Sequence, residues 1–404
     1  MPEAQRPIWL LCLIFALAGC AAASESRQDS PASLWGAVRV ISETEQSHAP
    51  ALWVQPDGIL TAAWVGADNR GVHHDARVIS GSTMGDAVTL PLPPIHPYGQ
   101  QLWPASGDHL HLLWLDAGAD GQQRLFAAHL SPDLGVERGP VEVSDRQTLD
   151  YAAIAAGSGQ VVTVWSGGSL AEPALYAQSI SARGIPSSPV LLKHNAAQPA
   201  LTRTNDGTIH VFWLDTTDHG LRYGQLQRDA LLAAGSTGHS LHLGPGDRLH
   251  SLSAGTDAAH LYLFWNITRL DGTDETWMTA RPLDTGEWSA PLRVGVGGVN
   301  DATMQTGLNT GTVHTAAHGD NWLRWGAPMP GQFDVLPLAG AIGSDLVIVH
   351  FRQGVLAGYQ RIAPVRALIG PPALLTDRDR YLYLTWAEPT DSGRAALKIT
   401  TSRG

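Results

Sequence analysis

Short apolar strands that end on an aromatic residue recur along this chain. "GILTAAW" ends at Trp64, "GDHLHLLW" at Trp114, "GQVVTVW" at Trp165, "GTIHVFW" at Trp213 and "AAHLYLFW" at Trp265. These tryptophans lie 48 to 52 residues apart. Three weaker copies follow: "GTVHTAA" to Ala317, "DLVIVHF" to Phe351 and "RYLYLTW" to Trp386, with the last two steps shortened to 34 and 35 residues. Self-similarity at such a period is the signature of a repeat architecture.

Each copy has the same neighbours. A short strand with a Pro or Ala start precedes it, as in "APALWVQ", "QPALTRT" and "PPALLTD". A third strand follows a polar loop: "LFAAHLS" (125–131), "ALYAQSIS" (174–181) and "LRYGQLQ" (221–227). A fourth often closes the unit after Gly or Pro, as in "GPVEVS" (139–144) and "APLRVG" (290–295). Four short strands with frequent turn residues predict an all-β unit. In the second strand Ile209, Val211 and Trp213 alternate with His210 and Phe212, so the strand is apolar on both faces and belongs between two neighbouring sheets.

A parallel α/β sheet also has continuous apolar strands, but it requires a crossover helix of a dozen or more residues. The intervening "LDAGADGQQ" and "SPDLGVERGP" are broken by Gly, Pro and Asp and carry no helical stripe. Radial repetition of four-stranded sheets is a β-propeller. The last unit stops after three strands, "PPALLTD", "RYLYLTW" and "AALKITTS", whereas "GAVRVIS" (36–42) is a strand with no unit of its own. Pairing these two closes the ring and removes an exposed edge. The count is then eight blades, or seven, since the copy around Phe351 is the least regular.

The N-terminus changes where the fold begins. "IWLLCLIFALAG" (8–19) is a nearly uncharged run too short to span a bilayer as a permanent helix, and it ends at Leu17-Ala18-Gly19-Cys20. That tetrad resembles the lipobox of bacterial lipoproteins. The resemblance implies a signal peptide over 1–19, a diacylated Cys20 as the mature N-terminus, and an extracytoplasmic, membrane-anchored location. An ordinary secretory signal, cut after the following alanines, is the alternative. Residues 20–35 then form a small, polar tether, and 36–404 the propeller domain. The only other cysteine, Cys12, lies inside the signal, so the mature chain is expected to hold no disulfide and no Cys-ligated metal.

Charge narrows the partners. The net charge is −11, and Lys occurs only at Lys193 and Lys398, so nucleic acid is not an expected ligand. A monomer without cofactor is expected.

Candidate chemistry follows the repeat. Just past the strand-end aromatic positions stand Asp68, Asp116, Asp215, Asn266, Asp320 and Glu388, on loops that a propeller opens on one face. Such a ring could accept glycan hydroxyls or hold a cation; Asp also favours turns because its side chain bonds the backbone two residues on. His111, His210 and His314 share one register, a position that suits a repeated hydrogen bond between blades rather than a metal. In "VHHDAR", His73 and Asp75 share a strand face, but two ligands do not make a zinc site. No nucleophile elbow and no phosphate-binding loop occurs.

"SPDLG" (131–135) and "LDTGEWSAPLRV" (283–294) resemble degenerate copies of the Asp-box of sialidase-like propellers. This implies a glycan-facing scaffold or, as the alternative, an exo-sialidase-like glycoside hydrolase. An arginine triad and a Tyr/Glu nucleophile pair, which the hydrolase would require, have no recognisable counterpart. "ARPLDTGEW" (280–288) resembles a Trp-docking repeat of outer-membrane assembly lipoproteins, which implies an envelope assembly factor. The leading expectation is a binding scaffold for a glycan or an envelope protein, with no assigned catalytic residue.

Overall fold

The computed structural model describes residues 35–296 and 334–402, apart from residues 46–48, 70, 228–229, 285, 343 and 378–380. Cys20, His314, the copy at Ala317 and Asp320 lie outside the described residues.

The described chain is all-β and forms seven separate antiparallel sheets, six of them built from consecutive strands. Blade 1 comprises Ala51–Val54, Leu60–Asp68, Gly71–Ser80 and a broken outer strand, Thr83–Met84 with Val88–Leu90. Blade 2 comprises Tyr98–Pro104, Leu110–Ala117, Gln123–Leu130 and Val136–Glu142. Blade 3 runs from Thr148 to His194, blade 4 from Ala196 to Ser240 and blade 5 from Arg248 to Val296, each with four strands. Blade 6 has three described strands between Leu336 and Pro364. Blade 7 takes Ala373–Thr376, Leu382–Pro389 and Ala395–Thr401, with Arg39–Thr44 as its fourth strand.

The predicted closure is therefore present. Arg39 pairs with Ile399 and Thr44 with Ala395, with a register shift between Val40 and Ser42. Ile41, 1 % exposed, packs from this strand onto Leu52, Trp64 and Leu397. Trp35, one residue before the expected start of the propeller at 36, also packs into the fold. Trp35 is buried against Ala339, Leu374 and Trp386, and Gly36 N–H donates to Thr401 O at 2.8 Å.

Seven hydrophobic clusters hold the blades together, one at each junction. The second strand of blade 4 shows the principle. Val211 and Trp213 pack with Val162 and Val164 of blade 3, while Phe212 and Leu214 pack with Leu263 and Trp265 of blade 5. Side chains alternate across a strand, so a run apolar at every position binds a neighbour on each side. Blade 5 meets blade 6 directly through Tyr262, Phe264, Leu338 and Val349. Blade 6 meets blade 7 through Ile348 and Leu384, and blade 7 meets blade 1 through Tyr383 and Leu60. The ring is complete with seven blades, the smaller of the two counts that the repeat allowed. The copy at Phe351, the least regular in sequence, nevertheless forms a full strand, Asp345–Arg352, whose alternate residues pack on blades 5 and 7.

The turn of blade 3 at Gly159 requires glycine twice over. Its φ is +73°, and a Cβ there would lie 2.5 Å from Ser106 N in the corresponding turn of blade 2. The close approach lets Gly159 O meet His111 Nε2 at 3.0 Å. This is the inter-blade hydrogen bond expected of that histidine register; His210 is buried at the equivalent position of blade 4.

Trp213 is 2 % exposed, and its indole N–H has no hydrogen-bond partner among the described residues. Its contribution is thus one of packing. Trp213→Ala is expected to cost about 3–5 kcal/mol, and Trp213→Phe markedly less because no hydrogen bond is lost; equal losses in denaturant titrations would refute this. A chain beginning at residue 35 should melt cooperatively, whereas one beginning at residue 45 should melt at a clearly lower temperature or aggregate, because it bares the edge at 395–401. Matching midpoints would mean that the strand is no clasp.

Candidate functional site

The first strand of each blade lies nearest the axis, and six of them surround a central channel of about 1100 Å³. The front face of the ring carries the turns from second to third strand and the links between blades. The back face carries the remaining turns. Toward the front the wall presents Tyr98, Tyr151 and Pro199 of blades 2, 3 and 4, and Pro50 and Pro372, which directly precede the first strands of blades 1 and 7. Toward the back the wall presents Trp53, Trp103, Arg203, Asn205 and Asp377.

Polar groups in the wall are held in place. Tyr151 OH donates to Gly99 O, and Trp103 Nε1–H donates to Gln101 Oε1 at 3.1 Å. Arg203 donates to Ala155 O at 3.2 Å. Asp377 accepts from Tyr381 N–H at 3.0 Å and from Tyr383 OH at 2.9 Å, so its carboxylate is spent on its own turn. Gln100 Nε2 donates to His74 Nδ1 at 2.5 Å, which places the His74 proton on Nε2. His74 is fully buried, against the edge of Trp114, and burial holds its pKa down at about 4, although Asp116 pulls it upward.

Asp150 joins blades 3 and 4 at the front rim. It accepts from Ser166 Oγ and, at 3.2 Å, from the N–H of Gln198, a residue in the left-handed region at φ 56°. Burial pushes its carboxyl up to about 6, against these hydrogen bonds. Burial and the Asp150 charge push the nearby Tyr98 hydroxyl up to about 12, so the phenol is a neutral donor at ordinary pH.

The strand-end series does not converge on this channel. Asp116 is buried and accepts from the N–H groups of Ile95, His96 and Ala117, at 3.1, 2.6 and 2.7 Å, fixing the link into blade 2. Asp215 accepts from Thr217 N–H at 3.0 Å and faces Arg222 at 3.6 Å. Asn266 bridges Ser251 and Thr276. Glu388 is buried on Lys398. Asp68 lies 4.0 Å from His73, whose other ring nitrogen is 3.2 Å from Asp75. All five sit at the expected strand ends, but none lines the channel. Their side chains bond within a turn or between adjacent strands, the ordinary structural use of Asp and Asn at such positions.

Sequence reasoning missed Tyr98, Gln100, Tyr151, Trp53 and Trp103. A signal was present: the position of Pro50 holds Gln100 in blade 2 and Tyr151 in blade 3, and a tryptophan stands one residue before the end of Ala51–Val54 and of Tyr98–Pro104. The two Asp-box-like segments are turns between third and fourth strands. Ser131 Oγ donates to Asp133 and to Gly135 O in one, and in the other Trp288 packs across the blade 4–5 junction on Phe212 and Tyr223.

No family model matches the sequence, and no curated protein matches it. Among solved structures the chain is similar to the polysaccharide lyase Uly1, with a TM-score of 0.53 and 12% identity over 89% of this chain and 90% of that one. It is more loosely similar to a catalytically inactive virginiamycin B lyase from Staphylococcus aureus with quinupristin, at TM-score 0.44 and 10% identity, covering 90% and 99% of the two chains. A thermostable family-43 glycoside hydrolase matches 64% of this chain and 96% of its own, at TM-score 0.39 and 12% identity. At these identities the first likeness speaks for the propeller fold alone, and the looser two carry no argument.

The buried histidines set a pH dependence. His74 and His210 are both held at about 4 by burial, against 6.5 in the unfolded chain. Between pH 6.5 and 4 the unfolded chain takes up protons that the folded chain refuses, so stability falls as pH falls through that window. Asp150, raised from 3.8 to about 6, acts in the opposite sense between those values. The thermal midpoint should drop from pH 7 to pH 4, and less steeply in a His74→Asn/His210→Asn double variant. Parallel curves would remove these histidines as the cause.

Proposed function

We propose that this propeller binds a neutral glycan in its central channel, and that acylated Cys20 holds it at the outer face of a membrane. The observation that carries the reading is the channel wall itself. Tyr98, Tyr151, Trp53 and Trp103 offer ring surface, and Gln100, Gln101 and Asn205 offer amides in the same wall. Aromatic faces pack against the C–H faces of sugars, while amides and hydroxyls exchange hydrogen bonds with their hydroxyl groups. Concave sites with mostly apolar walls and a few fixed polar groups are the usual form of a ligand pocket.

Charge favours a neutral ligand. The wall contains one arginine and one carboxylate among the described residues, Arg203 and Asp377, and the chain carries −11 overall. That field repels polyanions. The same inventory weighs against glycoside hydrolysis. Such chemistry needs two carboxyl groups across the bond, or a tyrosine nucleophile with arginines for an acidic sugar. The only carboxylate of the described wall is committed to Tyr383 and to the backbone N–H of Tyr381. The polysaccharide lyase that shares the fold acts, by its name, on a polysaccharide.

A glycan array with the purified domain should return neutral oligosaccharides, and Tyr98→Ala should weaken the best hit by about tenfold, the scale of one stacking contact, without lowering the thermal midpoint. An array with no saturable binder, or one whose hits ignore Tyr98, would leave the channel reading without support. In cells, Cys20→Ser should abolish palmitate labelling; a variant that is still labelled would exclude the anchor.

A further inference from the structure

The back face of blade 2 brings together three groups with metal-ligating atoms. His109 lies just before the second strand, His129 near the end of the third and Glu137 near the start of the fourth. His109 Nε2 is 3.3 Å from Glu137 Oε1, and His129 Nε2 is 3.7 Å from Glu137 Oε2. The three ligand atoms all lie within 4.8 Å of one another. We propose that His109, His129 and Glu137 form a binding site for a divalent transition metal of the zinc class, with a coordination position left open to solvent. This site lies outside the channel wall and does not rest on the glycan reading.

Three features beyond proximity support it. The first is the His109 tautomer. Its Nδ1 is 2.8 Å from Gly107 O, an acceptor only, so Nδ1 carries a proton, and Nε2, 3.3 Å from Glu137 Oε1, is the nitrogen a metal would take in place of a proton shared with that carboxylate. A histidine whose far nitrogen donates to a carbonyl has the outer contact typical of metal-bound imidazole.

The second feature concerns two nitrogens with no partner. His111 is fully buried and gives its Nε2 proton to Gly159 O, which leaves Nδ1 as a bare acceptor. His129 is 7 % exposed, and its ring centroid lies 5.1 Å from that of His111. The Nδ1 atoms of both rings are buried without a hydrogen-bond partner. Metal on His129 Nε2 requires the proton on Nδ1, which sets a donor and a bare acceptor on two adjacent buried rings.

The third feature is the backbone under Glu137. Val136 pairs with Leu130 and Arg138 with His129, so Glu137 is the extra residue where the register shifts. Bulges of this kind re-aim a side chain, and this one brings the carboxylate to the His129 edge. Asp133 and Arg138 also act on the site, on His109 and His129 respectively. With Glu137 they leave a net local charge of −1 before any metal binds, which favours a dication.

Two imidazoles and one carboxylate suit zinc, and a three-ligand set leaves the open position characteristic of its non-structural sites. Tag-free protein stripped with chelator should bind zinc(II) with a stoichiometry of one in calorimetry, and saturating zinc should raise its thermal midpoint. Cobalt(II) should give the visible absorption of a low-coordinate nitrogen–oxygen site. His109→Ala and Glu137→Gln change half-exposed groups, so both should fold with the wild-type midpoint in chelator, yet lose the calorimetric signal and the cobalt band. Absence of saturable zinc binding, or binding that is unchanged in both variants, would overturn the assignment.

Discussion

Burial of the second strand on both of its faces is the constraint from which this architecture follows. A strand such as Ile209–Asp215, apolar at nearly every position, cannot be satisfied by one layer of structure. It needs a sheet on each side, and each neighbour has the same need. A row of such sheets has two unsatisfied ends. Only a ring leaves none, and seven clusters, one per junction, are the result. Glycine at tight turns, tyrosine clamps such as Tyr262 on Asp257, and the inter-blade bond of His111 refine a geometry that packing has already imposed.

What could be read from the residues divides along the same line. Second strands were legible because burial on two faces leaves a run that no other element of this length requires. The clasp at Arg39–Thr44 was legible because a lone strand and a three-stranded unit stood at opposite ends. The blade count was not settled, since spacing alone does not say whether a weak copy makes a sheet. The channel wall was less legible still. Its rings and amides come from first strands, which run from four to ten residues and share no register mark comparable to the tryptophan. The described members of the carboxylate series stand outside the channel wall, and two follow the tryptophans where backbone N–H groups need an acceptor: Asp116 for the link into blade 2 and Asp215 for the next turn.

The two faces of the ring also differ in chemistry. The front rim is ordered by backbone contacts and prolines, with Asp150 and Asp116 each holding a link between blades. On the back face of blade 2, histidines accumulate instead. His109 and His129 stack with centroids 5.1 Å apart, and His111 lies beneath them. Stacked imidazoles of this kind resist double protonation, since each charge raises the cost of the next.

The pairing of Arg39 with Ile399 also has a bearing on time. Six of the seven sheets are assembled from strands adjacent in sequence, so each closes only short loops as it forms. The seventh needs two segments separated by nearly the whole described chain, and loop closure over such a span is the slowest kind of contact to make. Until it is made, the partly built ring is a curved stack with two sticky flanks, and its vulnerability to association is greatest at that stage. Completion of the circle is therefore the contact that covers the last two open flanks of the stack.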